Sequence, residues 1–196
     1  MCKIILASKS KVRMEILKDN GISFMVCPSN VDEDEIKKSL LNEGATPQLI
    51  SRNLAEIKAN KVSQMKLENI VIGADSVIDL EGKIISKPKD RSEAMDILKK
   101  LNGKKHDLIS SVCISKKGKM IWNHSDKATL TMKKFSEDEL QSYLSELTDE
   151  ALYSYNVYQI EGKGKNLFSN IKGDKNTIMG LPIKKIKKYL EVSRKK

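Results

Sequence analysis

One stretch constrains the fold more than any other. It runs Val71-Ile72-Gly73-Ala74-Asp75-Ser76-Val77-Ile78-Asp79-Leu80, passes through Glu81-Gly82, and ends in Ser86-Lys87-Pro88-Lys89-Asp90. Its start is a short apolar run, the mark of a strand covered on both faces. The pattern predicts a strand that breaks at Gly73 and leaves Asp75 at its rim, within reach of solvent and ligand. Glu81-Gly82 then turns the chain into a second strand. An aspartate at a strand end is ordinary turn chemistry, so Asp75 gains meaning only from what the rest of the chain sets around it.

Before this stretch, Lys3 to Ala7 reads as a strand. Ser10 reads as the N-cap of a helix from Lys11 to Asn20, with Val12, Ile16 and Leu17 inward and Gly21 closing it. A second strand covers Ser23 to Cys27. Asp32-Glu33-Asp34-Glu35 puts acids at the start of a helix that reaches Gly44, as the helix dipole favours. Thr46-Pro47 opens a longer helix to about Leu67, on which Leu54, Lys58, Val62 and Met65 share one face. A lysine in such an apolar stripe either snorkels to water or is held for a charged partner.

After the stretch, a helix starts at Asp90 or Ser92 and runs to Leu101, where Asn102-Gly103 closes it. His106 to Ser115 alternates as a strand, and Lys117-Gly118 turns it into a partner running from Met120 towards Met132. Ser136 and Glu139 form a capping box before another helix. Leu147 to Asn176 is irregular. Gly180-Leu181-Pro182 opens a basic amphipathic helix with Ile183, Ile186, Tyr189 and Leu190, expected to dock on the domain rather than on a membrane. Early alternation of strands and helices with a late hairpin means α/β architecture around a mixed central sheet. No linker separates the pieces, so residues 1–196 read as one domain.

The chain has 196 residues and a formal net charge of +10, which favours anionic partners such as nucleotides, nucleic acid or acidic membranes. Most lysines are scattered and read as solvated surface. Three widely spaced cysteines, Cys2, Cys27 and Cys113, fit a reducing compartment without a disulfide framework or zinc site. Two histidines, His106 and His124, leave little for a histidine-rich metal centre. No apolar run approaches a membrane span, and the polar turn after Ala7 is unlike a signal peptide. The expectation is a cytoplasmic protein.

Ser8-Lys9-Ser10-Lys11-Val12-Arg13 sits where a strand meets a helix N-terminus, a good place to hold an anion, although no P-loop or G-x-G-x-x-G spacing is present. Arg13, Lys58 and Lys87 could converge on a polyphosphate, and Glu33 and Asp75 could hold a hard divalent metal. Cleaving a phosphoanhydride needs both sets: cations to neutralise charge and a carboxylate to take a proton from water.

The ordered motifs resemble the Maf proteins, nucleoside triphosphate pyrophosphatases once described as septum formation inhibitors. The resemblance is carried by Leu6-Ala7-Ser8-x-Ser10-x-x-Arg13-x-Glu15-Ile16-Leu17, Val31-Asp32-Glu33, Leu54-Ala55-x-x-Lys58-Ala59-x-x-Val62 and Ile72-Gly73-Ala74-Asp75-x-Val77 with Gly82 and Lys87-Pro88. It continues in Leu101-x-Gly103-x-x-His106, Ile160-Glu161-Gly162-x-Gly164, and Lys172-Gly173-Asp174 with Gly180-Leu181-Pro182. It implies a fold similar to inosine triphosphatase, with two lobes flanking a nucleotide-binding groove. It implies hydrolysis of (d)NTPs, modified ones among them, to the monophosphate and pyrophosphate by metal-assisted attack of water on the α-phosphate. Asp75 would be the proton acceptor, with Glu33 and Asp75 on a magnesium or manganese ion. Ser8, Arg13, Lys58 and Lys87 would bind phosphate. The family is often homodimeric.

Some positions depart from the family pattern. Lys11-Val12-Arg13 stands where Pro-Arg-Arg is common, which removes one cation. Ser76 replaces a Thr or Gln, and Ser110 a frequent Thr. Glu161 stands where members acting on thymidine and uridine triphosphates have Gln, and Tyr153-Ser154-Tyr155-Asn156 replaces an Asp-Lys-Ala-Gly pattern. A glutamate only accepts hydrogen bonds where a glutamine also donates. Ser76, Ser110 and Glu161 are therefore the candidate base-selectivity positions. Two other readings compete: a basic nucleic-acid-binding protein without catalysis, and a weakened Maf-like protein acting through cell-division partners. Few aromatics and no nucleic-acid motif argue against the first, and stable nucleic-acid or membrane partners are not expected.

Overall fold

The computed structural model describes residues 3–155 and 157–194, without the side chains of 153–155 and 194. Cys2, Asn156 and the side chains of Tyr153, Ser154 and Tyr155, on which the sequence reading drew, lie outside the described residues. The described strands form one mixed seven-stranded sheet, and the chain divides into two compact units that interleave along the sequence.

The first unit holds the residues up to Ser76, Ile109–Lys127, and the residues from Asp174 onward. Its strand β1 (Ile4–Leu6) is wholly buried and lies parallel to both β2 (Phe24–Val26) and the start of β3 (Ile70–Leu80). Helix α1 (Lys11–Asp19) begins where expected: Ser10 accepts a hydrogen bond from the Arg13 backbone at 3.3 Å. It buries Val12, Ile16 and Leu17. Helix α2 (Glu33–Asn42) is capped by Asp32 and buries none of its residues. Helix α3 (Pro47–Met65), capped by Thr46, buries Ile50, Leu54, Ala55, Lys58, Ala59 and Val62. Each of the large, fully buried aliphatic side chains contributes roughly 1.5–3 kcal/mol. Met65, expected on that face, is exposed because it is the last residue of α3, beyond the final buried turn at Val62 and Ser63.

The expected break at Gly73 does not occur. β3 runs unbroken through Asp75 to Leu80, and Asp75 is only 4% exposed. The glycine serves packing instead. A Cβ there would lie 2.3 Å from the Ala55 carbonyl oxygen and 2.7 Å from the Ala59 nitrogen, inside van der Waals contact. Without it, β3 lies directly against the backbone of α3. Ile5, Ala7, Ala55, Ala59, Val62, Val71 and Cys113 fill the adjoining core.

The second unit holds Val77–Leu108 and Ala128–Gly173. β3 turns through Glu81-Gly82 into antiparallel β4 (Lys83–Ile85). Helix α4 (Arg91–Leu101) follows its Asp90 cap. The long strands β5 (Lys105–Lys116) and β6 (Lys119–Met132) each contribute residues to both units. Helix α5 (Glu137–Ser145) carries the predicted capping box. The stretch from Leu147 is more regular than its sequence suggests. It contains α6 (Asp149–Tyr155), a 3-10 turn at Lys163–Leu167 and β7 (Phe168–Lys172). β7 has no clean alternation, and its strand form comes from antiparallel pairing with Thr129–Met132 across a register shift. The sheet order is β2-β1-β3-β5-β6-β7, with β4 on β3. Helices α7 (Lys175–Ile178) and α8 (Ile183–Arg194) belong to the first unit, and α8 buries Ile183, Ile186 and Leu190. The terminal helix thus docks as expected. Among the described residues no helix is long and apolar enough to cross a membrane.

The packing of each unit can be tested by stability measurements. Gly73→Ala forces β3 off α3 and is expected to cost about 2–4 kcal/mol in denaturant unfolding. In the second unit, His106 is buried and its Nε2 pairs with the Tyr158 hydroxyl at 2.9 Å. Burial lowers its pKa from 6.5 to about 4, against the charge of Asp107. The folded state therefore favours neutral His106 while the unfolded chain protonates near the ordinary value. This contribution to stability is complete above pH 6.5 and falls as pH drops towards 4, by an amount of order 1–3 kcal/mol. A His106→Phe chain should lose that share of the acid sensitivity in melting curves recorded across the same window.

Candidate active site

Gly73 and Asp75 are two residues apart on β3 and therefore point to the same face. The glycine lets α3 approach, and Asp75 meets what α3 carries. Lys58, itself only 5% exposed, places its Nζ 2.8 Å from Asp75 Oδ1 and 2.9 Å from Glu33 Oε1. The lysine is thus held for charged partners and does not snorkel. Ser51, on the same helix, donates to the Asp75 backbone carbonyl at 3.1 Å. Asp75 Oδ2 is buried and has no hydrogen-bond partner among the described residues. That oxygen is left for a proton or a cation.

Glu33 sits in the first turn of α2, so the acidic patch is more than a solvated helix start. Burial acts to raise its carboxyl pKa. The charge and hydrogen bond of Lys58, with Lys37 and Arg13 behind them, outweigh that and leave it below the ordinary glutamate value.

Ser76 points to the opposite face of β3, where it meets Arg13 from α1. The guanidinium donates to Gly180 O from Nε at 3.0 Å, to Ser8 Oγ from one terminal nitrogen and to Ser76 Oγ from the other, both at 3.3 Å. Burial lowers the Arg13 pKa, opposed by the charges of Asp75 and Glu33. It stays a cation under any ordinary condition. Ser76 Oγ also lies 2.8 Å from Ser110 Oγ. Ser110 is fully buried and donates to the Thr177 carbonyl at 2.7 Å.

The residues singled out from the sequence gather in two groups within the first unit, Glu33 and Asp75 around Lys58, and Ser8 and Ser76 around Arg13 with Ser110 behind Ser76, and the charges of Asp75 and Glu33 act on Arg13. Lys87 and Glu161 belong to the second unit, both exposed, Lys87 after β4 and Glu161 before the 3-10 turn. Sequence reasoning missed Thr177 and Asp126. No local pattern marks either as more than an ordinary threonine and aspartate, and only the fold joins them, Thr177 Oγ1 donating to Asp126 Oδ2 at 2.8 Å.

Glu33 and Asp75, both paired with Lys58, are the carboxylates that could hold a hard divalent ion such as magnesium or manganese, which takes one or two carboxylates and fills its shell with water and phosphate oxygens. Among the described residues no group of three or more His, Cys, Asp or Glu side chains could hold an ion by itself.

The fold and the cluster define an α/β protein with a mixed sheet, built around buried paired charges. A family model described as Maf-like protein matches residues 3–193, and the chain belongs to that family. It is 66% identical to a Pelagibacter ubique protein named nucleoside triphosphate pyrophosphatase, over 97% of each chain. It is 39% identical to a Brucella abortus protein named 7-methyl-GTP pyrophosphatase, over 92% of this chain and 91% of that one. Among solved structures, a nucleoside-triphosphatase, dITP/XTP pyrophosphatase from Mycobacterium abscessus aligns over 98% of this chain and 93% of its own, at 11% identity and a TM-score of 0.43.

The paired charges give a direct test. Lys58→Met strands Asp75 as a buried, unpaired carboxylate and is expected to destabilise the protein by about 3–5 kcal/mol. In the Lys58→Met/Asp75→Asn chain both charges are gone, and guanidinium unfolding should show part of that stability restored.

Proposed function

We propose that this chain is a nucleoside triphosphate pyrophosphatase, cleaving its substrate between the α and β phosphates to give the nucleoside monophosphate and pyrophosphate. The observation that carries the reading is Asp75. One oxygen is pinned by Lys58 and the other is buried and without a hydrogen-bond partner among the described residues, and the charge of Asp75 also acts on the Arg13 guanidinium, which is held on three sides. The names of the Pelagibacter and Brucella relatives support the same activity.

In this reading a water molecule attacks the α-phosphorus. The new P–O bond forms as the bond to the β-phosphate oxygen breaks, and the water's proton passes to Asp75 Oδ2. Lys58 keeps Oδ1 occupied, so the accepting oxygen is fixed before substrate arrives. Arg13 and Lys58 offset the charge that builds on the departing pyrophosphate. Ser8 orients one arm of Arg13 and offers a hydroxyl to phosphate. Glu33 and Asp75 would hold a magnesium or manganese ion, which supplies charge neutralisation and a lowered pKa for water when bound. Lys87 keeps the role of a further phosphate ligand, and Ser76 and Glu161 that of base-selecting positions, on the strength of the family resemblance. Ser110 enters that selection only through Ser76. A homodimer is proposed on the same ground.

The test is pyrophosphate release from a nucleotide panel with magnesium or manganese, including uridine, thymidine and 7-methylguanosine triphosphates. Release is expected from at least one of them. Asp75→Asn should lower kcat by about 10²–10⁴-fold while the chain stays folded. Full activity in that variant would remove Asp75 from its role. No release from any nucleotide, with tight salt-sensitive binding of RNA or DNA, would favour the nucleic-acid reading.

A further inference from the structure

We propose that the segment Asp174–Gly180 is a positioning cradle for the Arg13 guanidinium, and that Ser110 and Thr177 are positioning residues for an oligophosphate bound there. The proposal rests on the reading of Arg13 as a phosphate ligand and adds the elements that aim it.

Arg13 has five N–H groups, and among the described residues three are engaged by Gly180, Ser8 and Ser76, leaving two for a ligand. The direction of the hydroxyl chain behind Ser76 is fixed by counting protons. Ser110 has one hydroxyl hydrogen and places it on the Thr177 carbonyl at 2.7 Å. Across the 2.8 Å contact Ser76 must then be the donor and Ser110 the acceptor. With its own hydrogen committed, Ser76 turns a lone pair towards Arg13. Both hydroxyls, Ser76 and Ser110, point their hydrogens away from the guanidinium. Removing Ser110 frees the Ser76 hydroxyl to rotate and strips the Thr177 carbonyl of a donor.

Both ends of this support lie in one short piece of chain. Thr177 O lies in α7 and accepts from Ser110, and Gly180 O lies two residues past its end and accepts from Arg13. The piece is tied to the rest of the chain at two points, Asp174 and Thr177. Asp174 caps α7 through the Asn176 N–H at 2.9 Å and pairs with Lys184 at 2.5 Å. Thr177 Oγ1 reaches Asp126 on β6. Gly180 has φ of +99°, and a Cβ there would stand 3.2 Å from Ser76 Oγ and 3.5 Å from Arg13 Nε. A side chain would strain the backbone and crowd the arginine at once. The Lys172-Gly173-Asp174 and Gly180-Leu181-Pro182 motifs, with no chemistry of their own, thereby gain a purpose: they build and close the cradle.

The test is a double-mutant cycle on the full chain, read by calorimetric titration with inorganic pyrophosphate and tripolyphosphate. Ser110→Ala is expected to weaken binding by about tenfold, and Ser110→Thr, which keeps the hydroxyl, to stay within about twofold of wild type. With Arg13→Lys already in place, Ser110→Ala should cost less than about twofold more, because its effect passes through the arginine. Thr177→Val, which keeps shape and carbonyl but loses the Asp126 tether, should show the same dependence on Arg13, and it carries the test if Ser110→Ala fails to fold. Unchanged affinity in Ser110→Ala, or an equal loss in the wild-type and Arg13→Lys backgrounds, would overturn the cradle. If wild type releases pyrophosphate from nucleotides but the cycle shows no coupling, the cradle falls and the activity stands. If wild type neither binds oligophosphate nor releases pyrophosphate, the activity reading falls and the cradle with it.

Discussion

The charged cluster depends on how closely β3 lies against α3. The contact is made of absent atoms: Gly73 has no side chain, and the helix opposes it with Ala55 and Ala59, one turn apart. Lys58 is carried on the same turn, so bringing the two backbones together also brings its ammonium to Asp75, two residues along the strand. Strand alternation then divides the labour. Gly73 and Asp75 face α3, while Ser76 faces Arg13 and Ser110. One extended segment thus touches both cations of the cluster, from opposite sides.

Within the cluster the formal charges cancel, since Arg13 and Lys58 oppose Glu33 and Asp75. The net charge of +10 lies elsewhere in the chain. A polyanion is therefore drawn towards the protein by its general field, but at the cluster it must compete with two carboxylates for the cations it needs. A divalent ion, if held by those carboxylates as proposed, would relieve that competition.

Local signals were legible where they act locally. Ser10, Thr46 and Ser136 cap the helices they were expected to open, Asp90 and not Ser92 caps α4, and Asp32 caps the helix its acidic run was expected to start, because a cap is settled within four residues. Lys58 in an apolar stripe was a visible anomaly, and its partners proved to be the two carboxylates under suspicion. Gly73 misled because a glycine that ends a strand and one that admits a neighbouring backbone look alike in sequence. β7 was hidden because its form depends on pairing with β6. The Ser110–Thr177–Asp126 connection spans elements far apart in the chain, and nothing within any one of them encodes it.

The helix that carries Glu33 buries none of its residues, and its Leu41 is half exposed. Asp75, by contrast, lies in a central strand beneath α3. The two carboxylates that share Lys58 are thus anchored with very different strength. One of the two negative charges that balance Arg13 and Lys58 therefore rests on a helix with no fully buried residue, and the other on the core of the sheet.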